Sequence, residues 1–316
     1  MSREGLPGGP AMAFKLNKND THLLGLIAEY RILTVGQVAI LLGRTIRSAR
    51  HRLADLTGAD LIAIDRYAFG GGRGRPEGIV SLTPKGMQAL QDVQGIDPAV
   101  VPGEVGAFQV RQLGHDLLVN WVRLHLRHAA RVIPRLRIRF EVPADALVQV
   151  QDDRNGKGRA NSAGQTAFGL IPDGALSITD QQAGKTVLFF LEVDMGTESL
   201  ASANPATCSV LQKIRAYQSL FRNGAYKRYE DAWGCQLAGF RVLFVTNTHV
   251  RLVGLCRLVQ QAPPSDFVWL TDQDRLFEHG ISAEIWARGG RIDDRPQSIL
   301  GQTLARPTPI PLPSDS

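Results

Sequence analysis

Residues 186–194 read TVLFFLEVD. A run this short, rich in β-branched and aromatic residues, is a strand rather than a helix. A strand apolar at successive positions is buried on both faces, so it sits inside a sheet covered by layers on each side. It ends on Glu192-Val193-Asp194. In a strand, residues i and i+2 face the same way, so these two carboxylates project together.

The surrounding text supplies the rest of an α/β domain. RLRIRFEVP and FGLIPDGALSI read as further strands, and ITDQQAGKT is a turn joining the second to TVLFFLEVD as an antiparallel hairpin. SVLQKIRAYQSLFRNG is an amphipathic helix with Leu211, Ile214, Tyr217 and Leu220 inward. FRVLFVTNT and DFVWLTD are strands, and VRLVGLCRLVQQA is a helix. Residues 151–166 are a polar loop. The end, LARPTPIPLPSDS, is proline-rich and reads as disordered or extended.

If Asp173 of IPDG lies on a strand beside Glu192, then Asp173, Glu192 and Asp194 converge. Oxygen-rich clusters suit Mg²⁺ or Mn²⁺, and such an ion polarises a phosphodiester. Lys213 and Tyr217 share one helix face, and Lys213 is placed to neutralise charge developing on phosphorus. These four residues, Asp173, Glu192, Asp194 and Lys213, are the candidate catalytic set, with the three carboxylates as metal ligands. A plainer reading stands beside it: Asp173 shapes a turn, and Glu192 and Asp194 pair with Lys213 or Arg215.

The first part of the chain differs in kind. DTHLLGLIAEY is a helix that Asp20 or Thr21 can cap, with Leu23, Leu24, Ile27 and Ala28 on one face. LTVGQVAILLG is a second helix, capped by Thr34 and stopped by Gly43. RTIRSARHRLADL follows closely. It packs Ile46, Ala49, Leu53 and Leu56 inward and carries Arg44, Arg47, Arg50 and His51 outward. Two short helices joined by a tight turn, the second basic outside, form a helix-turn-helix with a recognition helix. LIAIDRYAF, GGGRGRPEG and IVSL then make a hairpin with Arg73 and Arg75 at a glycine-rich tip, which is a wing. LTPKGMQAL closes the unit, with Thr83 as cap and Pro84 at the first helical position. The glycines are not a nucleotide-binding loop, because no Gly-Lys-Ser/Thr follows.

The net charge of +6 is unevenly placed. Residues 106–139 hold Arg111, Arg123, Arg127, Arg131, Arg135, Arg137 and Arg139 against Asp116 alone. Such a strip attracts phosphate backbones without reading sequence. The stretch begins as one long helix, with Leu113, Leu117, Trp121, Leu124 and Ala129 apolar, that bridges two domains. His115, His125 and His128 are tempting as ligands, but His125 and His128 have no acidic or cysteine companion nearby and read as packed or solvated. The expected organisation is a flexible leader (1–17), a winged-helix DNA-binding domain (18–105), a basic connector helix (106–133), an α/β domain (134–300) and a proline-rich tail (301–316). The chain is α+β as a whole.

Other classes are excluded. No apolar run is long enough to span a bilayer. The start, MSREGLPGGPAMAF, lacks the layout of a secretory signal. The cysteines 208, 235 and 256 fit no zinc pattern and suit a reducing cytoplasm.

The carboxylate pattern resembles the PD-(D/E)xK nuclease superfamily through Pro172-Asp173, Glu192-x-Asp194 and Lys213. It departs where the usual lysine two residues after the glutamate is Asp194, a role that can migrate to the following helix. The wider combination, LTPKG, GHDLLVNWV, IPDG, LEVDMGTES and KIRAY over about residues 20–290, resembles the replication-relaxation family. That resemblance implies double-stranded DNA binding in the replication, mobilisation or relaxation of a plasmid or integrative element, beside a relaxase or replication protein, with a nuclease-like domain. Two alternatives stay open: a Mg²⁺- or Mn²⁺-dependent DNA endonuclease, and a winged-helix transcriptional repressor whose second domain forms a homodimer.

Overall fold

The computed structural model describes residues 16–67, 77–94, 112–143, 147–150, 168–202, 209–311 and 313–314. The described residues up to Leu113, with those after Pro311, form one compact unit, and Gly114–Pro311 form a second.

The first unit is a winged helix. Its elements are α1 (Lys18–Tyr30), β1 (Ile32–Thr34), α2 (Val35–Leu42), α3 (Ile46–Gly58), β2 (Ile62–Tyr67), β3 (Glu77–Leu82) and α4 (Pro84–Gln94). The strands form an antiparallel sheet in the order β1-β3-β2. Leu24, Ile27, Leu33, Val38, Ala49, Leu53 and Leu56 are fully buried beneath it. The helix α1 starts one turn before the expected caps: Asn17 is the N-cap, and Asp20 closes a capping box by accepting from the Asn17 N–H at 3.0 Å. The third-position role of Asp20 explains why an acidic residue there mimics a cap in sequence. Thr34 caps α2 as expected, and Gly43, at φ 60°, ends it in the left-handed region. The three-residue β1 has no counterpart in the sequence reading, because so short a strand carries no period of its own. Thr83 accepts from the Gly86 N–H at 3.0 Å. Gly86 is obligatory there, since a Cβ would sit 1.8 Å from the Leu61 carbonyl oxygen.

The second unit is built on a mixed six-stranded sheet. It contains α5 (Leu113–Val132), β4 (Leu136–Glu141), β5 (Val148–Val150), β6 (Phe168–Leu170), β7 (Gly174–Asp180), β8 (Lys185–Asp194), α6 (Val210–Arg222), a 3-10 turn (Ala225–Lys227), α7 (Arg228–Trp233), β9 (Phe240–Thr246), α8 (His249–Gln260), β10 (Val268–Asp272), α9 (Gln273–His279) and β11 (Ala287–Arg288). The main sheet runs β11-β10-β9-β8-β7-β4, and β5 pairs with β6 apart from it. The strand β8 runs antiparallel to β7 and parallel to β9, so the TVLFFLEVD strand is interior. One face packs Leu188, Phe190, Val242 and Phe244 against Ile214, Tyr217 and Leu220 of α6 and Leu252 and Leu255 of α8. The other packs Phe189, Leu191, Leu243 and Trp269 against Leu118, Val122, Leu126 and Ala129 of α5, and against Ile281, Trp286 and Ile299. The helix read as a connector thus contributes its apolar side to this core. Burial on both faces is what the continuous apolar run requires.

The C-terminal segment differs from a disordered tail. Leu304, Thr308 and Ile310 are buried. The Thr308 N–H donates to the His279 carbonyl at 2.8 Å, and the Ser282 hydroxyl donates to the Arg306 carbonyl at 2.9 Å. Proline richness removes donors but leaves carbonyls and spaced apolar side chains to dock, so the segment is extended and anchored. No helix among the described residues is long and apolar enough to cross a membrane.

Candidate functional site

Two sites follow from the sequence, one in each unit. In the first, Thr45 caps α3 by accepting from the Ser48 N–H at 3.2 Å. The helix turns Ala49, Leu53 and Leu56 into the core and leaves Arg44, Arg47, Arg50 and His51 exposed. Arg52 points the other way. Its guanidinium holds the fully buried Asp20 of α1, with Nε–Oδ1 at 2.6 Å, and reaches Asp55 at 3.0 Å. One arginine of RSARHR, Arg52, therefore locks α3 to α1, while Arg47, Arg50 and His51 remain on the solvent side with Arg44 just before the helix. His51 leans toward Asp55 at 3.6 Å and stays 83% exposed. Beside them a groove of about 680 Å³ runs between Asn17, Asn19 and His22 of the α1 start and Arg44, Arg47 and His51. Arg73 and Arg75 lie outside the described residues.

In the second unit, Glu192 and Asp194 do project from one face of β8, toward α6 and α8. Asp173 stands just before β7, where its N–H donates to the Leu191 carbonyl at 3.0 Å. One step beyond the Gly174↔Leu191 pair, it is opposite Glu192. Gly174 is needed at this corner because a Cβ would meet the Phe140 ring at 2.4 Å.

Each carboxylate already has a partner. Glu192, 1% exposed, accepts from the Tyr217 hydroxyl at 2.5 Å and from Lys213 Nζ at 3.0 Å. Lys213 also donates to Glu198 at 2.9 Å. Asp194 accepts from the Gly196 N–H at 2.7 Å and from Arg251 Nε at 2.9 Å, and Arg251 Nη2 lies 2.8 Å from the same carboxylate oxygen. Arg251 Nη2 also donates to the Glu198 carbonyl at 2.6 Å. Asp173 accepts from the Val193 N–H at 2.7 Å and lies 3.1 Å from His115 Nε2, whose Nδ1 is 3.1 Å from Asp116. Lys213 and Arg251 thus tie β8 to α6 and α8 through the loop that holds Glu198.

These contacts set the charge states. Burial pushes Glu192 up to about 7, against the pull of Lys213, and nearby Asp173 adds to the rise. Burial pulls Lys213 down, but Glu192 and Glu198 together hold it well above the ordinary ammonium range. Burial also opposes the charging of His115, yet its bonds to Asp116 and Asp173 raise it to about 10, so it is an imidazolium at neutral pH.

In this arrangement the carboxylates expected as metal ligands are engaged by the chain's own groups. A divalent cation needs several free, converging oxygens. Lys213 and Tyr217 take both oxygens of Glu192, and Arg251 takes Asp194 on the α8 side. Among the described residues, no group of three or more His, Cys, Asp or Glu side chains is arranged to hold a metal ion. Asp173, Glu192 and Lys213 are brought together, and Asp194 is drawn away from them. Arg215, the other cation proposed for the carboxylates, is exposed. Glu198 and Arg251 were missed, and His115 was singled out only as a tempting ligand, not as the partner of Asp173. Glu198, an acid four residues past Asp194, had a local signal, whereas Arg251 lies 57 residues from Asp194 in sequence and His115 is similarly remote from Asp173.

The model of the replication-relaxation family matches residues 24–233. No curated protein matches the chain in sequence. Among solved structures, a zinc-responsive MarR-family member of Lactococcus lactis, ZitR, is 19% identical. That alignment covers 42% of this chain and 78% of that chain at a TM-score of 0.22, a likeness too slight to carry an argument.

Proposed function

The chain belongs to the replication-relaxation family, and from that premise we propose that it is a duplex-DNA-binding accessory protein acting in the replication, mobilisation or relaxation of a plasmid or integrative element. The observation that carries this reading is the outward set of Arg47, Arg50 and His51 on α3, with Arg44 in the turn just before it. A recognition helix enters the major groove with such a face, while arginines suit both phosphates and guanine edges. Arg73 and Arg75, in the glycine-rich stretch of sequence between β2 and β3, join them in this proposal. In this reading the second unit has the nuclease-like arrangement without cleaving, because its carboxylates are neutralised by the chain's own Lys213, Arg251 and His115. A relaxase or replication protein of the same element is the expected partner.

A second reading, a Mg²⁺- or Mn²⁺-dependent endonuclease, draws on Asp173 opposite Glu192 with the Lys213 ammonium on Glu192. One experiment separates the two. The full chain is mixed with supercoiled plasmid, with and without Mn²⁺, and both mobility and topology are scored. Retarded but covalently closed plasmid supports the accessory role. Nicking that disappears in Asp173→Ala and Glu192→Ala establishes the nuclease, and plasmid that is neither retarded nor nicked defeats both.

A further inference from the structure

The structure sorts the seven arginines of residues 106–139 into those the fold uses and those it leaves free. Arg111 lies outside the described residues. Arg123 is buried, its guanidinium 5.1 Å above the Phe140 ring. Arg135 Nε donates to Asp180 at 2.8 Å. Arg139 Nη1 donates to the Trp233 carbonyl at 2.7 Å. Arg127, Arg131 and Arg137 show no hydrogen bond or ion pair with any described residue. Elsewhere in this unit Arg275 pairs with Asp272, Arg291 with Asp266 and Arg295 with Glu284, whereas Arg222 and Arg257 have no ion pair with a described residue.

The three free arginines share one corner. Arg123, Arg127 and Arg131 follow one another at i, i+4 and i+8 on α5, and residues so spaced lie along one side of a helix. Arg123 lies over Phe140 of β4, so the row runs beside that strand. β4 ends the sheet and is bonded on one side to β7. Leu136, Ile138 and Phe140 face the α5 layer, so Arg137 projects from the opposite face. The sheet edge is thereby flanked by guanidinium groups on both faces. Asp180 and Glu141, the acids on these two strands nearest in register, are taken by Arg135 and by the Trp233 indole N–H. Like charges at i, i+4 repel, so the Arg127–Arg131 pair does not stabilise the helix.

The geometry points to this corner as a second DNA-backbone contact, in which Arg127, Arg131 and Arg137 take phosphates of a duplex independently of α3. It rests on the DNA-binding reading and not on the carboxylate site. Four helical residues rise about 6 Å, close to the axial rise of two nucleotides of one strand at about 3.4 Å each. The guanidinium fork matches a phosphate's two oxygens, and contacts of this kind position the protein without reading sequence. Charges that merely guard an edge strand account for Arg137 but not for the pair on α5.

The test is a salt titration of duplex binding by the full chain, read by fluorescence anisotropy on a labelled duplex of arbitrary sequence. Wild type is compared with the triple variant Arg127→Gln/Arg131→Gln/Arg137→Gln, and with Arg222→Gln/Arg257→Gln, which removes exposed arginines on α6 and α8. Each phosphate contact contributes about 0.9 to the slope of log affinity against log salt, so the triple variant flattens the slope by roughly 2 to 3. Melting temperatures within a degree or so of wild type, in keeping with exposed substitutions, show that folding is not the cause. A slope unchanged in the triple variant while wild type binds, or flattened equally by Arg222→Gln/Arg257→Gln, overturns the assignment. The first of these outcomes leaves the corner to an acidic protein or to edge protection. Failure of wild type to bind any duplex is a different result, and it removes the DNA-binding reading itself.

Discussion

Replacing Lys213 by methionine isolates the charge logic of the carboxylate site. The substitution keeps the volume of the stem and removes the ammonium that lies 3.0 Å from Glu192 and 2.9 Å from Glu198. Its cost depends on pH in a defined way. Glu192 has a folded value raised to about 7 from its ordinary 4.5, so ionising it costs stability as pH rises through that window. Below about pH 6.5 the carboxyl is protonated with or without the lysine, and Lys213→Met loses only packing and the pair with half-exposed Glu198, about 1 kcal/mol. Above pH 7 the wild type ionises Glu192 against Lys213, while the variant must keep it protonated. The deficit then grows by about 1.4 kcal/mol per pH unit. Near pH 9 it reaches roughly 4 kcal/mol, within the range for a broken buried pair. Urea denaturation of both proteins from pH 5 to 9 measures this directly. In the Glu192→Gln background the growth with pH disappears. A deficit that is flat with pH, or larger at pH 5 than at pH 8, refutes the assignment of Lys213 as the counter-ion that lets buried Glu192 ionise.

Other consequences are independent. Burial holds His125 down to about 3, and neither of its ring nitrogens has a hydrogen-bond partner among the described residues. The unfolded chain takes up that proton below pH 6.5 and the folded one does not. His125 therefore removes stability as pH falls, about 2 kcal/mol between pH 6.5 and 5; His125→Leu abolishes that part of the slope in denaturant midpoints, and an identical slope contradicts it. Arg251→Ala strips Asp194, 6% exposed, of its cation and costs about 3 kcal/mol in a thermal melt. Arg251→Lys recovers less than half of the loss, because an ammonium cannot span the Asp194 carboxylate and the Glu198 carbonyl as the guanidinium does; full recovery by lysine contradicts the bridging role.

What could be read from the sequence was local. The TVLFFLEVD run reported its own double burial, and the ITDQQAGKT turn fixed the β7–β8 hairpin. The 3.6-residue period of RTIRSARHRLADL separated Arg47 and Arg50 from the core. The spacing of Lys213 and Tyr217 placed both on one face of α6, and both meet Glu192. What could not be read was which cation each carboxylate would find. Arg251 reaches Asp194 from the first turn of α8, and His115 reaches Asp173 from the start of α5, and neither distance in space is encoded in any short spacing. The same holds for the C-terminal segment, whose anchors on His279 and Ser282 depend on where α9 ends. Asp20 was misplaced by three residues for a local reason: the cap and the third position of a capping box favour overlapping residue types.

The central claim is that α3 binds duplex DNA, and the affinity of a labelled duplex for wild type and for Arg44→Gln/Arg47→Gln/Arg50→Gln, at one fixed low salt concentration, tests it most directly. These side chains are exposed and without structural partners among the described residues, so the fold is expected to melt as wild type does. If two of them contact bases or phosphates at about 1–3 kcal/mol each, binding weakens at least tenfold. A triple variant that binds as tightly as wild type contradicts the claim.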